Sequence, residues 1–560
     1  MNPSTPTPPT LIERFYHWEK TTPNAIFLRQ PKGAHWKALT YAEAGQEARK
    51  MVTVLAEKGL KKGDHIGIYS KNCYHWILAD LAIMMGGYVS VPLYASLPKD
   101  QLAEVIQLGD LKAIFLGKLD NWGERSAAVP AAVLAIKFPH YAGNAEVTVG
   151  EDWDKLMADS TPTPDNFVPD LDDLWTIKFT SGTTGTPKGV MHVHRSPAMI
   201  MENELKTNWI GVSKLNEVRT FSYLPLNHVG ERIGVELPTI WMGGMMSFAE
   251  SLDTFAKNLQ DTQPTLLFAV PRIWTKFYLG VTAKIPQKRL NTLLKIPLVS
   301  GFIKKKLRTA MGMRDLQIAG TGAAITPAFI KDFFKQLDIH LTEAYGMTEV
   351  CGSMTNGPDP KTPNDSVGQA IPFGEVRIQE DTGEILMKSP YMMTGYYKNP
   401  EKTAEVLIDG WMHSGDRGTL DDNGFVRVIG RVKDAFKTSK GSYVTPNPLE
   451  EVIMENEFVE QVCVAGLGIP QPIALINLSE TGAIADKAQV EQSMLSTIEG
   501  LNNTRAKFER ISTVVIQQTH WSIDNELLTP TLKVKRGKMD DRFGQDYLGW
   551  HEANDTVIWM

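Results

Sequence analysis

The stretch Thr180-Ser-Gly-Thr-Thr-Gly-Thr-Pro-Lys188-Gly189 decides more about this chain than any other segment. It follows Trp175-Thr-Ile-Lys-Phe179, where large apolar and polar side chains alternate as in a β-strand. Its hydroxyls, glycines and lysine supply N–H and O–H donors and let the backbone approach phosphate oxygens. It is not a Walker A loop, because Gly-Lys-Ser/Thr is absent at the required spacing. Loops of this composition also form ordinary turns, so the segment alone leaves both interpretations open.

Strand-like and helix-like segments alternate on both sides of this loop through most of the first 430 residues. Residues 65–70 and 112–116 have strand patterns, and residues 75–85 between them have a helix pattern. This alternation predicts the α/β class with mostly parallel sheets. The sequence becomes more charged and polar after Gly430, and the remaining residues suffice for one small α+β domain. We therefore expect domains at 1–431 and 432–560.

The composition excludes several classes of protein. With 58 basic and 64 acidic residues the net charge is −6, which excludes bulk electrostatic binding of nucleic acid. Apolar residues at 42% and charged residues at 22% exclude a disordered or fibrous chain. Three widely separated cysteines argue against a disulfide framework or a cysteine zinc site and favour a reducing, cytoplasmic location. Residues 1–10 lack secretory-signal features, and the apolar window 76–97 is too interrupted to span a membrane.

Three later segments carry weaker signals. Thr342-Glu-Ala-Tyr-Gly-Met-Thr-Glu349 contains groups that could stack on a base, admit and bond a phosphate, and hold Mg²⁺, although an aromatic beside glycine is common in loops. Asp416 lies between glycines and could accept bonds from ribose hydroxyls, but a turn aspartate has the same appearance. Lys533 lies in a Thr/Pro-rich loop, where a lysine is normally just exposed to solvent.

Taken in order, these segments resemble the adenylate-forming superfamily of acyl-CoA synthetases, luciferases and peptide-synthetase adenylation domains. The resemblance extends from about Leu11 to about Leu548. The segments Leu224-Pro-Leu-Asn-His-Val-Gly-Glu-Arg232 and Leu528-Thr-Pro-Thr-Leu-Lys-Val-Lys-Arg536 are most similar to the long-chain fatty acyl-CoA synthetase branch. The resemblance implies a large N-terminal domain of several subdomains and a small mobile α+β C-terminal domain.

The resemblance also implies a role for each matching residue. The ATP phosphates would be held by Thr180, Ser181, Gly182, Thr183, Thr184, Gly185 and Lys188. The adenine, ribose and α-phosphate would be met by Gly322, Ala323, Tyr345, Gly346, Thr348, Asp416 and Arg431. Glu349 would ligate Mg²⁺, and His228 would lie at the acyl-carboxylate end of the pocket. Lys433 would be the hinge between domains, and Lys533 the catalytic lysine of adenylation. Leu532 stands where the family usually has glycine, so Lys535 is the rival for that last role.

The implied activity is that of an acid–thiol ligase. ATP would convert a carboxylic acid, by the resemblance a fatty acid, into an acyl-adenylate with release of pyrophosphate. The CoA thiol would then take the acyl group and release AMP. Loading of a carrier protein instead of CoA is one alternative. A catalytically inactive nucleotide-binding scaffold is another, but the joint presence of Lys188, Glu349, Asp416, Lys433 and Lys533 argues against it.

Three further segments leave alternatives open. Residues 281–314 contain nine basic residues and no acidic one, which fits either peripheral contact with the inner surface of a membrane or a solvated helix pair. Trp241, Met242, Met245 and Met246 could line an acyl pocket or belong to the core. His192 and His194 resemble a metal-binding pair, but no third ligand is evident, so packing is the better interpretation. The resemblance leaves a homodimer open.

Overall fold

The computed structural model describes residues 7–181, 187–297, 299–522, 525–529, 533–553 and 555–560, with only the backbone of Ser181. Within these ranges, every helix is too short or too polar to cross a bilayer.

The strands of the described residues are numbered in chain order. They are β1 (Ile26–Lys32), β2 (His35–Thr40), β3 (His65–Tyr69), β4 (Val89–Leu93), β5 (Leu111–Leu116), β6 (Leu134–Lys137), β7 (Glu151–Asp152), β8 (Leu174–Ser181), β9 (Pro187–Val193), β10 (Arg219–Ser222), β11 (Met245–Phe248), β12 (Leu266–Ala269), β13 (Ile318–Gly322), β14 (Leu341–Met347), β15 (Gly352–Asn356), β16 (Gln369–Ala370), β17 (Glu375–Ile378), β18 (Glu384–Lys388), β19 (Gly395–Tyr396), β20 (Leu407–Ile408), β21 (Trp411–Leu420), β22 (Val426–Arg431), β23 (Phe436–Lys437), β24 (Tyr443–Val444), β25 (Val459–Ala465), β26 (Ile473–Leu478), β27 (Thr513–Gln517) and β28 (Val557–Trp559).

The α-helices are numbered in the same way. They are α1 (Leu11–Thr21), α2 (Tyr41–Glu57), α3 (Tyr74–Met85), α4 (Lys99–Leu108), α5 (Trp153–Ala158), α6 (Arg195–Thr207), α7 (Val229–Glu231), α8 (Leu237–Met242), α9 (Phe255–Thr262), α10 (Pro271–Thr282), α11 (Gln287–Leu294), α12 (Val299–Ala310), α13 (Ala328–Gln336), α14 (Pro400–Val406), α15 (Asn447–Met454), α16 (Glu480–Ile484), α17 (Lys487–Asn503), α18 (Arg536–Phe543) and α19 (Tyr547–Glu552). A π-helical turn, Arg232–Glu236, joins α7 to α8.

Two large sheets form the centre of the N-terminal part. Within the described residues, one has the order β16-β15-β14-β13-β12-β10-β11-β1-β2 and the other β19-β9-β8-β4-β3-β5-β6-β7. Their inner strands pair in parallel, and antiparallel pairs are confined to the ends of the sheets. The predicted α/β class with mostly parallel sheets is therefore confirmed. A smaller antiparallel sheet of β17, β18, β20, β21 and β22 follows.

A separate mixed sheet, β25-β26-β27-β28, lies after residue 432. Helices α15 and α17 pack on one face of it around Leu449, Ile453, Val490 and Met494, so this part has an apolar core of its own. That arrangement agrees with the expected small α+β domain.

Local sequence explains where many elements begin. Thr10 and Thr40 each start a helix with a complete capping box, in which Glu13 and Glu43 bond back to the cap. Helix α3 is buried on all sides, which accounts for the apolar window that the sequence shows there.

Candidate functional site

One cavity of about 2490 Å³ lies where the ends of both large sheets face the C-terminal part of the chain. Most of the predicted site residues line it, although their positions in the sequence span more than half of the chain. These residues are Thr180, Lys188, His228, Ala323, Tyr345, Gly346, Thr348, Glu349, Asp416, Arg431, Lys433 and Lys533. Among them, Thr180 and Lys188 are directly opposed in the antiparallel pair of β8 and β9, on the two sides of the Gly/Thr loop.

Four of the predicted phosphate-binding residues, Gly182, Thr183, Thr184 and Gly185, lie outside the described residues. Ser181 is placed only as the last residue of β8. Gly322 ends β13 next to the cavity, and a Cβ built there would lie 2.6 Å from the carbonyl oxygen of Ala344. Any side chain at Gly322 would therefore push β13 away from β14.

Three predicted nucleotide-binding residues form a connected polar group. The Tyr345 hydroxyl donates to Asp416 Oδ2 at 2.7 Å, and Arg431 Nε is 2.8 Å from Asp416 Oδ1. Burial, followed by the charge of Asp416, raises the pKa of Tyr345, so its hydroxyl stays a donor. Asp416 and Arg431 are opposed in the β21–β22 pair, which holds this ion pair at the wall of the cavity.

The backbone beside Tyr345 leaves no room for side chains. A Cβ built on Gly346 would lie 1.8 Å from the carbonyl oxygen of Gly352 on β15. Ala323 has a φ of 68°, in the left-handed region that alanine rarely adopts. Strained backbone of this kind clusters at functional sites. Both positions belong to the group that the resemblance assigns to adenine.

Glu349 and Lys188 both lie next to Tyr396, a residue that the sequence analysis did not identify. The Tyr396 hydroxyl donates to Glu349 Oε1 at 2.7 Å, and Lys188 Nζ lies 5.6 Å from the centre of the Tyr396 ring. Burial is the main cause that lowers the pKa of Lys188, and the positive charge of Lys402 adds to it. Tyr396 reaches this place because the short strand β19 pairs with β9.

The residues around Glu349 fit a magnesium ion. Magnesium usually binds one or two protein carboxylates together with substrate phosphates. Glu349 supplies one such carboxylate at the cavity wall, and the described residues hold no cluster of three or more His, Cys, Asp or Glu side chains. Phosphates would therefore have to supply further ligands, as the resemblance implies.

His228 begins α7 and faces the cavity. Its Nδ1 accepts the backbone N–H of Gly230 at 3.0 Å, so the neutral ring carries its proton on Nε2. Enclosure by the protein, followed by the charges of Lys533 and Lys178, lowers its pKa to about 3. The neutral His228 ring can thus donate one hydrogen bond from Nε2 into the cavity at physiological pH.

The loop before His228 is held by a network of polar groups. The Asn72 amide donates to the Leu224 carbonyl oxygen at 2.6 Å and to Ser222 Oγ at 2.8 Å. Glu231 Oε1 accepts from Ser222 Oγ at 2.7 Å and from the Tyr223 N–H at 3.0 Å. Burial raises the pKa of Glu231 to about 8, so this acid is mostly protonated at neutral pH. These bonds fix the position from which His228 enters the cavity.

Lys533 reaches the same cavity from the C-terminal part of the chain. Its backbone N–H donates to Thr529 Oγ1 at 3.0 Å, and its carbonyl oxygen accepts the Thr529 N–H at 2.8 Å. Its side chain faces the open space, yet surrounding protein, followed by the charge of Arg431, lowers its pKa. Lys533 lines the same cavity as Arg431 at the predicted ribose end and His228 at the predicted acyl end.

Lys433 lies in a turn that directly follows β22. The Val432 N–H donates to the Gly415 carbonyl oxygen at 2.8 Å, and the Asp434 N–H donates to the Arg431 carbonyl oxygen at 3.2 Å. These bonds anchor the residues on both sides of Lys433. The turn stands between the last strand of the N-terminal part and the first strand of the C-terminal part, where a pivot would have to be.

Comparison with protein families gives two matches that cover most of the chain. A model described as "AMP-binding enzyme" matches residues 15–397, and one described as "AMP-binding enzyme C-terminal domain" matches residues 433–546. The chain belongs to the AMP-binding enzyme family. The adenylate-forming superfamily predicted from the motifs is thereby confirmed.

Curated relatives agree with the predicted branch of this AMP-binding family. Long chain acyl-CoA synthetase 1 of Arabidopsis thaliana is 26% identical, with 90% of this chain and 86% of the relative covered. Long-chain-fatty-acid–CoA ligase 1 of Homo sapiens is 26% identical over 95% of this chain and 85% of the relative. Long-chain-fatty-acid–CoA ligase 5 of Rattus norvegicus is 28% identical over 97% and 89%.

Solved structures of the same fold cover nearly the whole chain. The A domain of a carboxylic acid reductase from Segniliparus rugosus, in complex with AMP and a co-purified carboxylic acid, has a TM-score of 0.81 at 20% identity. It covers 97% of this chain and 94% of that one. An anthranilate CoA ligase in complex with anthranoyl-AMP has a TM-score of 0.77 at 17% identity, with 97% and 99% covered. At sequence identities this low, the structural similarity establishes only that the chain has the same fold.

A buried charged group behind the cavity was also missed by motif reasoning. The Arg232 guanidinium has no exposure and pairs with Asp80 and with Glu236, the latter at 2.7 Å. It lies between the rings of Trp76 and Trp175, 5.3 and 4.4 Å from their centres. This group packs the π-helical turn against β8, which leads into the phosphate loop.

The structure bears on two of the alternatives that the sequence left open. Trp241 and Met246 are core residues, and Trp241, Met242, Met245 and Met246 are all absent from the described cavity lining. These four residues therefore fit the core interpretation better, although Pro238 on the same helix α8 lines the cavity. His192 Nε2 bonds the Thr348 carbonyl oxygen at 2.7 Å, as expected for a packed histidine.

Proposed function

We propose that this chain is an ATP-dependent acyl-CoA synthetase of the AMP-forming type. The observation that carries the proposal is the entry of Lys533 into the cavity that also holds Lys188, Glu349 and the Asp416–Arg431 pair. A cation from a second domain, placed between ribose-binding and acyl-binding groups, suits the transfer of an adenylyl group.

The first half-reaction follows from these positions. An acid oxygen attacks the α-phosphorus of ATP, the bond from that phosphorus to the bridging oxygen breaks, and pyrophosphate leaves. Lys188 and Lys533 offset the charge that develops on the phosphates, and Mg²⁺ held at Glu349 would add to this when bound. Asp416 and Arg431 hold the ribose, so positioning supplies much of the rate.

The second half-reaction needs a different arrangement. The CoA sulfur attacks the acyl carbonyl, a C–S bond forms, the bond to the phosphate oxygen breaks, and AMP and a proton are released. Lys533 lines the cavity in which the adenylate would form. We infer that the structure corresponds to the first half-reaction and that the unit 432–560 turns about Lys433, relative to the unit 1–431, before the second.

Measurement of pyrophosphate release across fatty, aromatic and branched acids tests the first step. The same reactions with CoA, and separately with a holo-carrier protein, identify the acceptor. We expect acyl-CoA and AMP in equal amounts with CoA. Exclusive acylation of a carrier protein would instead establish a carrier-loading ligase, and failure of every acid to release pyrophosphate would leave only the inactive scaffold.

We further propose that α11 and α12 contact an anionic membrane surface. Helix α12 has no buried residue, and Phe302 at 69% exposure and Ile296 at 43% stand among the nine basic residues of 281–314. Basic groups around exposed apolar side chains fit an acidic lipid surface. Co-sedimentation with phosphatidylglycerol vesicles, and with phosphatidylcholine vesicles as control, tests this. Equal recovery of the protein with both kinds of vesicle would contradict membrane contact.

A cytoplasmic location and a homodimer stay predictions. Cell fractionation would test the location, and analytical sedimentation would test the oligomeric state.

A further inference from the structure

Arg536, the first residue of α18, follows Lys533 by three positions and is largely enclosed, with 16% of its side chain exposed. Its Nη2 donates to Glu450 Oε1 at 2.7 Å, and its Nη1 donates to the Val464 carbonyl oxygen at 2.5 Å. Its Nε lies 3.8 Å from Asp434 Oδ2. The guanidinium therefore contacts three separate segments: α15, β25 and the turn that follows β22.

The chain just before Arg536 belongs to a pair of facing segments, 527–529 and 533–535, which we call the lysine ladder. The two segments are bridged in antiparallel fashion at Leu528 and Val534. The Leu528 side chain is buried in the apolar core of the C-terminal part, which fixes the first segment. The position of the second segment therefore depends on the ladder bonds and on Arg536 at its end.

Asp434 connects Arg536 to the predicted pivot. It comes one residue after Lys433, and its N–H donates to the Arg431 carbonyl oxygen at 3.2 Å. Arg431 in turn pairs with Asp416 at the wall of the cavity. A continuous series of polar contacts thus leads from the predicted ribose-binding pair through the turn 432–434 to the end of the lysine ladder.

We propose that Arg536 is a positioning residue that ties the lysine ladder to the turn 432–434, so that the place of Lys533 in the cavity depends on the conformation at Lys433. This inference rests on the proposed function, since that function assigns adenylation to Lys533 and the pivot to Lys433. Arg536 makes no bond to a reacting atom in this role. It keeps the pivot and the ladder at a fixed spacing, so that both move together when the C-terminal part turns.

The shape of the guanidinium suits this link. Its N–H groups leave a planar fork in several directions, so one arginine can meet Glu450, Val464 and Asp434 together, whereas the compact ammonium of a lysine cannot reach all three. The three contacts also differ in what they connect. Glu450 and Val464 already bond each other, because Glu450 Oε1 accepts the Val464 N–H at 2.7 Å. The contact with Asp434 is the one that leads towards the pivot.

The test uses Arg536→Lys and Asp434→Asn in the full chain. We expect each variant to lower single-turnover pyrophosphate release about tenfold, because Lys533 is then less firmly placed, while KM for ATP changes less than twofold. Conversion of supplied acyl-adenylate to thioester should also change less than twofold, since that step does not use Lys533. Arg542→Lys, at an exposed position of the same helix, is the matched control and should keep all three values.

The double variant shows whether the two residues act through one contact. If they do, Arg536→Lys combined with Asp434→Asn should lower pyrophosphate release no more than about tenfold, because the second change removes nothing further. A loss of about a hundredfold would mean independent effects and would overturn the proposal. Equal losses in both half-reactions would show a merely structural role and would overturn it as well.

Hydrogen exchange separates this inference from the proposed function. The N–H groups of Lys533 and Lys535 are bonded within the lysine ladder, to Thr529 Oγ1 and to the Leu527 carbonyl oxygen. If no acid supports pyrophosphate release in the unaltered protein, the proposed function fails, but exchange at these two groups still decides the role of Arg536. Exchange at least threefold faster in Asp434→Asn supports the link to the pivot, and unchanged exchange contradicts it.

Discussion

Tyr396 shows how a single side chain completes a site that motifs only outline. Its hydroxyl bonds Glu349, and its ring lies beside Lys188. The two partners were predicted from different motifs, but nothing in the sequence links either to a tyrosine in Thr394-Gly-Tyr-Tyr397. A residue that orients a carboxylate predicted to bind metal becomes visible only when the fold brings it there.

Loss of that hydroxyl should weaken the magnesium-dependent step. Tyr396→Phe keeps the ring but leaves a buried oxygen of Glu349 without its donor, so we expect kcat/KM for magnesium-ATP to fall about tenfold. Pyrophosphate exchange at graded magnesium concentrations measures this. Tyr397→Phe is the matched control, because the Tyr397 hydroxyl bonds Asp110 instead. Unchanged magnesium dependence in Tyr396→Phe would refute the role.

Lys533 should act in one half-reaction only. Because it offsets phosphate charge during adenylation, Lys533→Ala should reduce pyrophosphate release by about a hundredfold or more. Conversion of supplied acyl-adenylate to thioester should continue. Lys535→Ala, the variant of the rival lysine, should leave adenylation nearly unchanged. Equal loss of both half-reactions in Lys533→Ala would rule out its assignment.

At the scale of elements, the conformation of the segment from β10 to α7 depends on hydrogen bonds to the buried carboxylic acid of Glu231. Glu231 accepts bonds from three neighbours through one oxygen, and its second oxygen has no partner among the described residues. Its pKa, raised by burial to about 8, means that the folded state favours the protonated form. The stability that this group contributes is complete below pH about 4.5 and is lost as the pH rises towards 8.

Glu231→Gln should therefore flatten part of the pH dependence of stability. Between pH 5.5 and 7.5 the unaltered protein should lose about 2 kcal/mol of unfolding free energy through Glu231, and the variant should not. Urea titrations at the two pH values measure the difference. Glu217→Gln, at an exposed position, should keep the original dependence. If Glu231→Gln loses as much unfolding free energy between pH 5.5 and 7.5 as the unaltered protein does, Glu231 is ionised in the folded state.

The same elements show what sequence can and cannot predict. The loop at Thr180, the aromatic at Tyr345 and Asp416 could be placed together because motif order carries their shared chemistry. The location of the apolar residues near Trp241 could not be predicted. The spacing and hydrophobicity of apolar residues are the same whether they face the core or a cavity.

At the scale of the whole molecule, several contacts among the described residues connect the C-terminal part to the larger one, including the packing of α15 against β22. Lys533 enters the cavity, and Arg272 of α10 pairs with Glu460 of β25. We predict that Lys433 is the pivot between these parts, since the N–H groups of its neighbours Val432 and Asp434 bond back to the N-terminal strands.

A proline at the pivot should separate the two half-reactions. Lys433→Pro fixes φ and restricts Val432, so it should hinder rotation of the C-terminal part. We expect pyrophosphate release in the first turnover to change little and thioester formation to fall at least tenfold. Lys433→Ala, which keeps backbone freedom, is the control. Normal overall turnover in Lys433→Pro would exclude the pivot.

The pairing of β19 with β9 has a consequence for how the chain is made. Val190 and Met191 leave the ribosome some two hundred residues before their strand partners Gly395 and Tyr396. Domains generally fold from the N-terminus during synthesis, so the edge of the sheet beside the phosphate loop stays uncovered while the second large sheet is assembled. The pairing of β19 with β9 thus also brings Tyr396 to Glu349, so we expect a nascent chain that ends before Tyr396 to lack this hydrogen bond.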